Sequence, residues 1–171
     1  MHAAELLVAI AQIAVSLAGF SGLIAALRAT TGEWHPRDIW SLSWMLGSST
    51  GALMLALFPL WLALSVAAED ELYRISCAVA AVALGMFFAV MFVSDLRLTR
   101  RGFPRRVTRI HETLCLMTFG AALVDALGAL GLLGRWLIPA YFAGLMALLL
   151  GAVLALCVFL ILLARSTGNR Q

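Results

Sequence analysis

Charged residues are scarce in this sequence. Only 12% of its 171 residues are Asp, Glu, Lys or Arg, whereas 63% are hydrophobic. Soluble domains are nearer half apolar and a quarter charged, so the shortage of surface charge excludes a soluble fold of this length. The hydrophobic residues form five runs, each long enough to cross a hydrocarbon layer of about 30 Å. The sequence therefore predicts an all-α, polytopic transmembrane helical bundle that forms a single domain.

Residues that carry catalysis or bind metals are also few. The three histidines lie at the edges of apolar runs, and the three cysteines lie about 40 residues apart. No pair of cysteines has the spacing of a metal or redox motif. His111 and Glu112 begin like an HExxH zinc motif, but Cys115 stands where the second histidine would be. We therefore expect no enzyme, no metal site and no cofactor.

The five apolar runs set the predicted spans. The first run carries Glu5 where a signal peptide would carry positive charge, so we treat it as a true span. Pro36 and Pro139 suit the first turns of helices, where a missing N–H is no loss. The predicted spans are about 3–27, 39–67, 75–96, 112–133 and 137–164.

Lysine is absent, and the twelve arginines are distributed unequally between the predicted loops. With five spans, ten arginines fall on one side and two on the other. The positive-inside rule then predicts an outside N-terminus and a cytoplasmic C-terminus. Residues 19–22, Gly-Phe-Ser-Gly, resemble a segment in the first span of small bacterial membrane proteins, which implies no activity. The expected location is a cell membrane, and specifically the bacterial inner membrane.

The loop at residues 97–111 holds half of the arginines. Setting the topology is enough to explain these charges. The same charges can also bind anionic lipid headgroups or a cytoplasmic partner. The predicted contacts with anionic lipid are Arg97, Arg100, Arg101, Arg105, Arg106 and Arg109. Because these arginines cluster where topology alone would place them, they do not indicate nucleic-acid binding.

One carboxylate, Asp125, lies about thirteen residues into the fourth predicted span, close to the expected bilayer centre. A carboxylate at that depth costs roughly 2.5–3.5 kcal/mol on insertion scales and usually faces a bundle interior or a water-filled cavity. No arginine lies inside a predicted span, and we expect Asp95 to pair with Arg97 at the membrane surface. The expected partners of Asp125 are therefore neutral.

Neutral polar side chains from three spans are expected at the depth of Asp125. They are Gln12 and Ser16 in the first span, Ser48, Ser49 and Thr50 in the second, and Thr118, one heptad before Asp125, in the fourth. Two interpretations of this polar layer stay open. In one it is an ion pathway, in which Asp125 titrates or binds a cation. In the other it is a polar lock that holds helices together through hydrogen bonds.

Small residues recur at intervals of four along several spans, which lets helix backbones approach closely. The glycines predicted to serve helix packing are Gly22, Gly47, Gly51, Gly85 and Gly151. Some of these ridges are expected to mediate contacts between copies of the chain, because five helices are few to enclose both a packed core and a water-filled path. Our leading hypothesis is a homo-oligomeric channel or an ion- or proton-translocating protein. The alternative is a non-conducting structural or accessory membrane subunit.

Overall fold

The computed structural model describes the backbone of residues 3–29, 36–103 and 108–168, and the side chains of residues 3–26, 36–103 and 112–161. Most of these residues are helical, and none of them forms a strand. The helices are α1 (Ala3–Ala29), α2 (Pro36–Leu62), α3 (Glu69–Arg100), α4 (Thr108–Ala129) and α5 (Leu137–Gly168), and a 3-10 turn at Gly134–Trp136 precedes α5. All five α-helices are long and apolar enough to cross a membrane. The predicted all-α architecture with five helices of membrane-spanning length is confirmed.

Helices α2 and α3 begin before the predicted spans and so include charged residues that lie outside those spans. Helix α2 begins at Pro36, and α3 begins at Glu69, six residues before the predicted span. The acidic first turn of α3 suits the positive end of the helix dipole. Helix α4 ends earlier than predicted, because Gly131 adopts a φ of +76° and the amide of Leu132 bonds to the carbonyl of Leu127. This is a Schellman C-cap, which stops the helix.

Helix α5 stands at the centre of the bundle. It packs against each of the other four helices, whereas α1 packs mainly on α2, and α4 packs on α3 and α5. The two ends of the bundle differ in charge. The acidic end carries the start of α1, the connection from α2 to α3, and the turn from α4 to α5. The basic end carries the starts of α2 and α4 and the arginine-rich end of α3.

A buried ion pair joins α2 to α3 at the basic end. Nη1 of Arg37 donates to Oδ1 of Asp95, and these side chains are 7% and 0% exposed. Arg37 also donates to Oγ1 of Thr99 over 2.8 Å and to the carbonyl of Phe103 over 2.7 Å. Asp95, predicted to pair with Arg97 at the membrane surface, is thus completely buried and has a partner from another helix. The prediction failed because Arg37 was assigned to a loop, whereas it lies in the first turn of α2.

Candidate functional site

Asp125 is the most unusual side chain in the described part of the bundle. It is completely buried, and neither carboxylate oxygen meets the geometric criteria for a hydrogen bond within the described residues; the nearest donor beside it is the weakly donating thiol of Cys77. Buried polar groups in folded proteins are nearly always hydrogen-bonded, and each exception needs an explanation. Asp125 therefore marks the candidate site.

Within α4, Asp125 lies nearer to the acidic end of the helix than to its middle. It is four residues from the end of α4, or about 6 Å along the axis, because α4 ends four residues before the predicted span does. Its neighbours Cys77 and Gly144 lie about two turns into α3 and α5. The depth of Asp125 in a bilayer stays a prediction.

The neighbours of Asp125 come from α3 and α5. A Cβ atom placed on Gly144 would lie 2.5 Å from Oδ2 of Asp125, so the carboxylate packs directly against the α5 backbone. Cys77 of α3 lies beside Asp125, and a Cβ atom on Gly128 would lie 3.0 Å from the Cys77 sulfur. Tyr141 lies near the carboxylate and one helical turn before Gly144. Two glycines thus give the carboxyl and thiol groups room between the helices.

Pro59 explains how Tyr141 is held. Proline has no N–H, so the carbonyl of Leu55, four residues earlier in α2, lacks its usual helical donor. The hydroxyl of Tyr141 donates to this carbonyl instead. The hydrogen bond joins α5 to α2 at the level of the candidate site. It also occupies the Tyr141 hydroxyl proton, which is therefore not donated to Asp125.

A cleft of about 940 Å³ opens at the acidic end, between the first turns of α1, α3 and α5 and the last turns of α2. Glu69 and Tyr73 line it, and its other walls are largely apolar. The ring of Tyr73 contacts that of Tyr141 edge to face, with centroids 5.9 Å apart. The Tyr73–Tyr141 contact therefore leads from the cleft to the surroundings of Asp125.

Three members of the predicted polar layer are buried, but they bond within their own helices. The hydroxyl of Ser48 donates to the carbonyl of Trp44 over 2.7 Å, and that of Ser49 donates to the carbonyl of Met45 over 2.8 Å. Thr118 donates to the carbonyl of Leu114 over 2.9 Å. These three lie nearer the basic end than Asp125 does.

The other three members, Gln12, Ser16 and Thr50, lie on the exposed surface of the chain. The residues of α1 that face the core are Leu7, Ile10 and Ala14, so Gln12 and Ser16 point elsewhere. Helix α5 also stands between α1 and α4. The structure therefore does not bring these side chains to Asp125, and the predicted layer is divided between the interior and the surface.

The predicted packing glycines also differ in their surroundings. Gly47 packs closely on α3, because a Cβ atom there would lie 2.6 Å from Cε2 of Phe87. Gly51 faces Leu148 of α5 at 3.7 Å, and Gly151 faces the Trp44 ring nitrogen at 3.5 Å. Gly22 and Gly85 have no atom within 4 Å of an added Cβ, so they mediate no close helix contact among the described residues.

Residues 47–51, Gly-Ser-Ser-Thr-Gly, match the letters of the G-x-S-x-G pattern found around nucleophilic serines. That pattern acts on a sharp turn between a strand and a helix. Here it lies inside the continuous helix α2, and the hydroxyl of its central Ser49 bonds to a backbone carbonyl. The segment therefore does not have the geometry of a nucleophile elbow.

The arginines predicted to contact lipid lie at the basic end where they are described. Arg97, Arg100 and Arg101 are exposed. Arg105 and Arg106, and the side chain of Arg109, lie outside the described residues.

The residues closest to Asp125 were not singled out from the sequence. Cys77 has no metal or redox spacing to another cysteine, and Tyr141 and Gly144 carry no motif. One signal was available, because Pro59 implies an unpaired carbonyl at Leu55, and a buried tyrosine is a natural donor to it.

Comparisons with protein-family models, curated proteins and solved structures found no match to this chain.

Proposed function

We propose that the chain is an integral membrane protein that carries protons across the bilayer, with Asp125 as the group that takes them up and releases them. One observation carries the proposal: this carboxyl group is completely buried, and neither of its oxygens meets the geometric criteria for a hydrogen bond within the described residues. An unsatisfied buried group costs about 1–3 kcal/mol. Ionisable residues in membrane-spanning helices typically belong to ion or proton pathways. A polar lock would instead need strong hydrogen bonds from Asp125 to other helices, and its neighbour from α3, the Cys77 thiol, is only a weak donor.

The acidic-end cleft supports a route for protons to Asp125. Glu69 and Tyr73 line the cleft, Tyr73 contacts Tyr141, and Tyr141 lies beside Asp125. In the proposed step, water from the cleft enters past Tyr73 and Tyr141, and a hydronium ion transfers its proton to a carboxylate oxygen of Asp125, which leaves water and the neutral acid. The neutral form is the less costly one in an apolar interior.

The route towards the basic end is closed by packed aromatic rings. Trp44 is 1% exposed, and its ring lies 5.3 Å from that of Phe87 and 5.3 Å from that of Trp40. We interpret this conformation as the acidic-end-open state of an alternating cycle. The hydroxyls of Ser48 and Thr118 would carry the proton onward only after the helices move.

Because Asp125 faces the interior of one chain, the proposed pathway runs through each chain separately. This differs from a channel along an axis shared by several copies, in which the carboxylate would face the axis. Proton transfer then does not depend on the number of copies, and the hypothesis of a homo-oligomer becomes independent of the pathway.

The test is proton flux into liposomes that contain the purified protein and a pH-sensitive dye, driven by a potassium diffusion potential. The chain should carry protons, and Asp125→Asn should reduce the flux to that of protein-free liposomes. Asn has nearly the same shape, and the substitution changes only a weak interaction with the Cys77 thiol, so the variant should keep its thermal stability.

The matched control is Thr118→Val, which removes a buried hydroxyl two turns away on the same face of α4. It should slow the flux without abolishing it. Flux through Asp125→Asn that equals that of the unchanged chain would refute the proposal, as would absence of flux from the unchanged chain. A strongly destabilised Asp125→Asn with normal flux would establish the polar lock.

A second candidate role, as a subunit that assembles laterally, is favoured by the exposed polar side chains. Gln12, Ser16 and Thr50 lie on the outer surface of helices that are otherwise apolar. Polar side chains of this kind often hydrogen-bond across helix interfaces in membranes. If a second copy covers them, Gln12→Leu combined with Thr50→Val should lower the mass of the detergent-solubilised particle. An unchanged mass would exclude this interface.

A further inference from the structure

A groove of about 480 Å³ runs between α2 and α3 at the basic end. One face of each helix lines it, since the positions involved repeat at intervals of three and four. They are 36, 39, 40 and 43 of α2, and 90, 91, 94, 97, 98 and 101 of α3. The volume lies within the range of sites that hold small molecules, about 300–1,000 Å³.

The groove is positive at the edge that faces the end of the bundle. Arg97 and Arg101 line it, are exposed, and are four residues apart, so their guanidinium groups can reach one ligand. None of the described residues that line the groove is acidic. Asp95 of the same helix segment is fully buried against Arg37, so its charge is not presented to the groove.

The rest of the groove is largely apolar, with Ser43 and Ser94 as its other polar residues, and it is open to the surroundings of the bundle. Ile39 and Val90 are 48% and 61% exposed. Trp40 also lines the groove, and its ring nitrogen donates to the carbonyl of Met91 over 3.3 Å, which helps to fix the ring. A positive edge above an apolar wall matches a molecule with a phosphate head and an acyl chain.

We propose that this groove binds an anionic phospholipid. Arg97 and Arg101 contact its phosphate, since guanidinium groups suit phosphate oxygens in both geometry and charge. Ile39, Val90 and the Trp40 ring lie along its acyl chain. The proposal rests on the proposed membrane insertion. It goes beyond a general attraction between arginines and lipid, because it assigns the phosphate to two particular exposed arginines.

The Arg37 contacts hold the groove in shape before any lipid binds. Arg37 ties the first turn of α2 to Asp95, Thr99 and Phe103 at the end of α3. The two walls of the groove are therefore fixed relative to each other. A preformed site loses less conformational entropy on binding than one that must be ordered.

The experiment is native mass spectrometry of the detergent-purified protein with equal amounts of phosphatidylglycerol and phosphatidylcholine. The protein should retain one phosphatidylglycerol at least about tenfold more often than one phosphatidylcholine, because a basic residue close to an anionic lipid contributes roughly fivefold. Arg97→Gln combined with Arg101→Gln should reduce the preference to about twofold or less. Arg100→Gln combined with Arg135→Gln, which removes the same charge outside the groove, should leave it unchanged.

A second variant tests the shape of the site separately from its charge. Ser43→Phe fills the groove and keeps both arginines, so it should also abolish selective retention. The proposal is overturned if Ser43→Phe retains the lipid normally, if the control pair loses as much as the groove pair, or if inorganic phosphate displaces the lipid at equal concentration. Asp125→Asn should retain the lipid normally, so failure of the proton proposal and failure of this one are distinguishable.

Discussion

At the scale of single residues, Pro59 and Tyr141 form a compensating pair. The proline leaves the Leu55 carbonyl without its helical donor, and the tyrosine hydroxyl supplies one from another helix. Pro59 without Tyr141 would leave the Leu55 carbonyl without a donor. Tyr141 without Pro59 would add a second donor to a carbonyl that already has one. Together they set the position of α5 against α2 next to Asp125.

This pairing predicts strong coupling between two substitutions. Tyr141→Phe should destabilise the protein by about 1–3 kcal/mol, because the Leu55 carbonyl loses its donor. Pro59→Ala restores a backbone N–H, so Tyr141→Phe in that background should cost less, with a coupling energy of about 1 kcal/mol. Thermal unfolding in detergent measures the double-mutant cycle. Tyr73→Phe is the control, because the Tyr73 side chain lines the cleft. If the costs of Tyr141→Phe and Pro59→Ala simply add in the double variant, the pairing is contradicted.

Gly144 is the second residue on which the site depends. Gly144→Ala should destabilise the protein by about 1–3 kcal/mol, since the new Cβ would lie 2.5 Å from Oδ2 of Asp125. Asp125→Ala should remove most of that cost by making room. Gly120→Ala is the control, because a Cβ there has no atom within 4 Å. Equal unfolding temperatures for Gly144→Ala and Gly120→Ala would show that the contact between Gly144 and Asp125 is not tight.

The surroundings of Asp125 could be predicted only in part. The residue itself stands out because it is the one carboxylate well inside an apolar run. Its neighbours could not be found in the same way, because Cys77 and Gly144 lie in apolar helices whose sequence does not mark one face. Gln12 was assigned to the interior for the same reason, since a helix that is apolar on all sides has no amphipathic signal to orient it.

At the scale of helices, the number and type of elements follow directly from the apolar runs, but the ends do not. Arg37 and Glu69 were excluded from the predicted spans because they are charged, yet both lie in first turns. The Arg37 side chain is accommodated by an ion pair with a distant residue, which no local pattern reveals. The cap at Gly131 was likewise assigned to the interior of the fourth span.

The ion pair makes a prediction at this scale. Asp95→Asn should destabilise the protein by about 3–5 kcal/mol, because it removes a fully buried counter-charge of the Arg37 guanidinium. Replacing both residues with apolar ones, as Arg37→Met and Asp95→Leu, should recover most of the loss. Unfolding temperature in detergent is the measurement. Arg97→Gln, at an exposed position of the same helix, should change it little, and an Asp95→Asn variant as stable as this control would contradict the role of the pair.

At the scale of the whole molecule, charge separates the two ends of the bundle. If the basic end faces the cytoplasm, as the positive-inside rule predicts, a membrane-impermeant maleimide should label Ser65→Cys in sealed cells. It should label Arg100→Cys only after the cells are permeabilised. Both positions are exposed, and the three native cysteines would be replaced beforehand. Labelling of Arg100→Cys in sealed cells would reverse the orientation.

The central place of α5 has a consequence for biosynthesis. The ribosome makes α5 after the four helices that pack on it. Until α5 emerges, Cys77 of α3 and Asp125 of α4 have no Gly144 backbone or Tyr141 ring beside them, and the Leu55 carbonyl has no donor. The nascent chain must therefore keep these groups hydrated or covered by insertion factors. Premature termination before α5 would yield a product that quality-control proteases should remove.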